Sequence, residues 1–106
     1  MTIYFAVEGG YANLSRSITI AVDGEATKEI SGRPSSLQLP PDQVTAIVEQ
    51  LDGSGLFDRD RNYPASGADL QRYEIRYQDV TVVAHDTAVP PELTEAIQLL
   101  EAALRS

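Results

Sequence analysis

Cysteine is absent from the chain. That excludes disulfides, thiolate catalysis, iron–sulfur clusters and cysteine-based zinc sites. Nothing marks an oxidising compartment, so a cytoplasmic protein is the expectation. Histidine is almost absent too, His85 being the one in the sequence. Positive charge is scarce: 8 Lys and Arg stand against 16 Asp and Glu, a formal net charge of −8. Such a chain repels a nucleic-acid backbone unless its basic residues cluster. The best cluster is Arg59, Arg61, Arg72 and Arg76, and Asp58, Asp60 and Glu74 interrupt it. Nucleic acid is therefore not an expected partner. Long apolar runs are also missing. The first residues carry no basic segment, and their apolar stretch runs only from Ile3 to Val7. Neither a signal peptide nor a membrane partner is expected.

What remains is the composition of one globular domain over residues 1–106, 42% apolar and 23% charged. A chain of that length supports a single hydrophobic core without covalent staples. Ile3, Phe5 and Val7 alternate with Tyr4, Ala6 and Glu8, the period of a half-buried strand. Gly9-Gly10 stops it. Tyr11-Ala12-Asn13-Leu14 reads as a loop tip carrying apolar residues. A second strand has Ile18, Ile20 and Val22 on one side and ends at Asp23-Gly24. Residues 24–36 read as a long polar connection, in which Ala26 to Ile30 is the candidate for a short edge strand.

Leu39-Pro40-Pro41-Asp42 opens a helix. Proline fits the first turn because its missing N–H has no partner there anyway. Val44, Ile47, Val48 and Leu51 form one apolar stripe, and Gly53-Ser54-Gly55 ends the helix. Residues 58–69 read as a second long polar loop. Then comes a hairpin: Tyr73, Ile75 and Tyr77 against Val80, Val82 and Ala84 around Gln78-Asp79. That register puts all six on one face. Gln-Asp is not a favoured turn pair, which leaves a longer loop open. Val89-Pro90-Pro91-Glu92 opens a last helix with Leu93, Ala96, Ile97, Leu100, Ala103 and Leu104 inward. The expected class is α+β, ordered β-β-α-β-β-α. An antiparallel sheet of about four strands carries two amphipathic helices on one face.

Candidate chemistry is thin. His85 beside Asp86 has the elements of a general base oriented by a carboxylate, but a strand-end surface histidine explains it more simply. Paired carboxylates such as Asp58 and Asp60 arise by chance in so acidic a chain. Gly9-Gly10 lacks the further glycines and the Lys-Ser/Thr of a phosphate loop. No cofactor, no metal site of its own and no enzymatic activity are expected. Two loop tips stand out instead, around Tyr11 and around Asp69, because binding residues concentrate on such loops. The plain alternative for Asp69 is a residue that caps its own loop.

The order and spacing of several short segments resemble the emfourin family, bacterial protein inhibitors of protealysin-like (thermolysin-type) zinc metalloproteases. The resemblance lies in Gly9-Gly10-Tyr11-Ala12, Leu39-Pro40-Pro41, Leu56-Phe57, Ala68-Asp69-Leu70 with Tyr73-Glu74-Ile75, and Val89-Pro90-Pro91 with Leu93. It spans nearly the whole chain, and no single motif in it is strong. The segment from Gly24 to Ser36 departs from the pattern by its length and polarity. The resemblance implies a cytoplasmic inhibitor whose two neighbouring loops enter the protease cleft. It implies Asp69 as the carboxylate offered to the partner's zinc. It implies Tyr11, Ala12 and Leu14 as apolar contacts, assisted by Leu70 and flanked by Gly10, Asn13 and Ala68. The alternative is a non-catalytic interaction module with an unrelated partner, and a monomer is favoured in either case.

Overall fold

The computed structural model describes residues 2–9, 14–67 and 70–106, with Leu14 through its backbone alone. The class is α+β. Among the described residues nine elements follow one another: β1 (Thr2–Gly9), β2 (Leu14–Ala21), β3 (Glu25–Ile30), β4 (Arg33–Gln38), α1 (Pro41–Gly53), β5 (Arg61–Tyr63), β6 (Gln71–Tyr77), β7 (Val80–His85) and α2 (Pro91–Leu104). The strands form one seven-stranded sheet in the order β4-β3-β2-β1-β6-β7-β5. Every neighbouring pair is antiparallel except β5 with β7.

The register sorts side chains into two faces, because alternate residues of a strand point opposite ways. One transverse row runs Leu37, Ala26, Ile20, Ile3, Tyr77 and Val80; the next runs Lys28, Ile18, Phe5, Ile75 and Val82. The buried members of these rows join Val44, Ile47 and Leu51 of α1 and Leu93, Ala96, Ile97 and Leu100 of α2 in one core. Both helices therefore cover the same face, as the apolar stripes predict. Each begins directly after a proline in extended conformation, Pro40 or Pro90, with a second proline in its first turn. No helix among the described residues is long and apolar enough to cross a membrane.

Several expectations need correction. The sheet is mixed and has seven strands, not an antiparallel one of about four, because β5 pairs with β7 in parallel, and the element order is not β-β-α-β-β-α. The polar segment 24–36 is most of a hairpin, β3 with β4, turning through Ser31 and Gly32 at φ 51° and 81°. The Ala26 to Ile30 strand exists but is not the edge, since β4 lies outside it. The second polar loop, 58–69, contains β5. Each was hidden for a physical reason. Apolar alternation marks a strand only where one face is buried. In β3 and β4 the side chains are almost all exposed apart from Ala26, so pairing rests on the backbone. Pro34 suits that edge position, where an N–H is dispensable. β5 has three residues, too few to show a period. Arg61 holds its start, donating to the Leu56 carbonyl at 3.0 Å and to Asp58 at 2.8 Å.

The turn of the late hairpin is the two-residue form: Tyr77 pairs with Val80, Ile75 with Val82 and Tyr73 with Ala84. The longer loop left open by Gln-Asp does not occur.

Candidate functional site

β1 lies between β2 and β6, so three strand termini meet at one end of the sheet. Gly9, last in β1, is in register with Leu14, first in β2, and with Gln71, first in β6. Strands in a sheet are spaced by about 5 Å. The loop from β1 to β2 and the loop into β6 therefore leave from adjacent stems. Gly9 makes the closest approach. Its φ is +83°, and a Cβ there would sit 2.9 Å from the Leu70 carbonyl oxygen. A side chain at position 9 would force the two stems apart.

Of the residues singled out in the sequence, Gly10, Tyr11, Ala12, Asn13, Ala68 and Asp69 lie outside the described residues. Leu14 is placed through its backbone as the start of β2. Leu70 is half-buried, and its side chain lies over Gly67. The described residues that flank these positions, Gly9, Leu14 and Gln71, are neighbours in the sheet.

Sequence reasoning missed the residues that hold the β6 stem. Asp86 N–H donates to the Gln71 carbonyl at 3.0 Å, and Gln71 N–H donates to Asp86 Oδ2 at 3.1 Å. The Tyr73 hydroxyl lies 3.1 Å from Asp86 Oδ1 and 2.8 Å from Gln71 Oε1. Burial, reinforced by the Asp86 carboxylate, pushes the Tyr73 phenol up to about 12. The signal available in the sequence was an aspartate one residue past a strand, opposite the start of its hairpin partner. It was attached to His85 instead. His85 Nδ1 lies 3.3 Å from the Tyr63 carbonyl, which ties β7 to the end of β5. Asp86 spends its carboxylate on Gln71 and Tyr73, so the two do not form an oriented base.

The basic residues do not make a continuous patch. Arg61 pairs with Asp58 at 2.8 Å, and hydrogen bonding to that guanidinium holds the Asp58 carboxyl below its ordinary value. Arg72 and Arg76 both pair with Glu74, at 3.0 and 2.7 Å, on the face of the sheet away from the helices. Arg76 also lies over the Tyr4 ring, 4.9 Å from its centroid. This ladder covers the open face and leaves Glu74 only 8% exposed.

Among the described residues, depressions border both ends of the molecule. One of about 280 Å³ lies between Tyr73 and α2, beside the loop stems. The other, of about 390 Å³, lies at the far end of the sheet between Val22 and α1. No model of a known protein family matches the chain, and no curated protein matches it.

Proposed function

We propose that this chain is a protein inhibitor of a protealysin- or thermolysin-like zinc metalloprotease, as its resemblance to the emfourins implies. The observation that supports the reading most is the register of Gly9 with Leu14 and Gln71, which roots both candidate loops on adjacent strands. In this reading the loops around Tyr11 and Asp69 enter the cleft together. Asp69 offers its carboxylate to the partner's zinc at the position that catalytic water otherwise holds. Tyr11, Ala12, Leu14 and Leu70 fill apolar subsites. The chain works as a cytoplasmic monomer, contributes no turnover of its own and takes neither nucleic acid nor membrane as partner. Loops held on a rigid sheet lose less freedom on binding than free ones, which favours affinity.

The test is inhibition of a thermolysin-like protease by the wild-type chain and by Asp69→Ala. The variant is expected to bind at least about thirty-fold more weakly, the scale of a central interface residue. Equal inhibition removes the zinc-ligand role.

A non-catalytic module with an unrelated partner is the second reading. The groove lined by Val22, Pro41, Val44 and Val48 favours it, because Val22 is 66% exposed and lies at the end away from the loops. It predicts that Val22→Asp abolishes partner capture while protease inhibition never appears.

A further inference from the structure

We infer that Asp86 is a positioning residue: its carboxylate holds Gln71 in register with Gly9 and so fixes one loop stem against the other. The inference rests on the reading of the chain as a two-loop protease inhibitor.

The β6–β7 ladder has its last pair at Arg72 and His85. One residue on, Asp86 still donates its N–H to Gln71. The chain then turns away, with Thr87 at φ 72° and Ala88 N–H donating to the His85 carbonyl at 3.0 Å. The strand stops there, and the Asp86 side chain takes its place. Oδ2 accepts the Gln71 N–H at 3.1 Å, so one residue binds both backbone groups of Gln71. Oδ1 lies 3.1 Å from the Tyr73 hydroxyl, which fixes the carboxylate's orientation from within β6. The carboxylate acceptor makes the bond from the Gln71 N–H charge-assisted.

Gln71 is the place where such a clamp has most effect. On its other side it is in register with Gly9, and the Leu70 carbonyl before it makes the close approach to Gly9. Upstream, the nearest strand ends at Tyr63. Among the described residues, Gln71 is where the chain rejoins the sheet after Tyr63. Without Asp86 the strand start is free to fray, and the loop gains length and freedom that binding must remove. The effect falls on the loop's placement, because the core rows of Phe5 and Ile75 lie farther along the same strands.

The experiment compares wild type, Asp86→Ala and Asp86→Asn by backbone amide exchange and by inhibition of a thermolysin-like protease. Asn keeps one acceptor oxygen for the Gln71 N–H. The alanine variant is expected to exchange the Gln71 amide faster, with Phe5 and Ile75 unchanged, and to inhibit about tenfold more weakly, as for one lost charge-assisted hydrogen bond. The asparagine variant is expected to recover part of both. Wild-type inhibition by Asp86→Ala, unchanged exchange at Gln71, or equal loosening at Phe5 and Ile75 would each overturn the inference. If the wild-type chain inhibits no such protease, the functional reading fails separately. The exchange data then still decide whether Asp86 holds the stem.

Discussion

Two tyrosines, Tyr77 buried and Tyr73 half-buried, show how single residues tie the sheet to its surroundings. Tyr77 is 1% exposed, and its hydroxyl donates to Asp52 of α1 at 2.7 Å. Phe57 meets its ring edge to face at 5.7 Å. Burial, with help from the Asp52 carboxylate, pushes the Tyr77 phenol up to about 12. The Tyr73 phenol is pushed up to the same level. A phenol whose folded pKa lies above its unfolded value of about 10 adds stability that is complete below pH 10. That stability is lost as pH rises towards 12, because the unfolded chain releases its protons first. Melting temperature is therefore expected to drop steeply between pH 10 and 12. Tyr77→Phe should be less stable at pH 8, by about 1 kcal/mol for the lost hydrogen bond, and should show a shallower alkaline drop. An unchanged alkaline slope would contradict the assignment.

At the scale of elements, the late hairpin carries a local cost. Gln78 and Asp79 form its turn at φ 53° and 63°, a left-handed region that side chains other than glycine adopt reluctantly. Replacing the pair with Asn-Gly is expected to stabilise the protein by about 1 kcal/mol. Urea unfolding should show a higher midpoint at unchanged slope; an unmoved midpoint would mean the turn is already relaxed. This hairpin was legible in the sequence to the residue pair, because apolar Tyr73, Ile75 and Tyr77 alternate with charged Arg72, Glu74 and Arg76. The helices were legible for a similar reason, with prolines marking their starts and apolar stripes their inner faces. β3 and β4 were not, since the helices leave nearly all of their side chains exposed and no alternation survives there. Ser31-Gly32 was the one local mark of that turn. β5 escaped because its place is set by Arg61 and by the Thr81 N–H donating to Asp60 at 2.9 Å, contacts made across the fold. Strand order was beyond reach: nothing in residues 2–9 says that β1 pairs with β6 as well as β2. The tips singled out in the sequence, around Tyr11 and Asp69, lie outside the described residues. The supports at Gln71, Tyr73 and Asp86 needed the register to be seen.

The whole molecule is two layers, a twisted sheet and a pair of helices, measuring 38 × 32 × 20 Å. Its radius of gyration, 13.1 Å, is what a chain of this length has when fully collapsed. The two ends of the sheet differ in kind. At one, the stems at Gly9, Leu14 and Gln71 converge beside Asp86 and Tyr73. At the other, the short turns at Asp23 and at Gln78-Asp79 close the strands near the exposed Val22. With a net charge of −8 and its Arg72 and Arg76 spent on Glu74, the molecule has little positive surface to offer an acidic partner. The proposed inhibitor places its working surface at the loop end. Titrating the wild-type chain into a purified thermolysin-like protease tests that claim most directly. The account predicts that peptide hydrolysis falls to zero at saturation and that a small zinc-directed active-site inhibitor competes with the chain for the enzyme. Full hydrolysis in the presence of excess chain would contradict it.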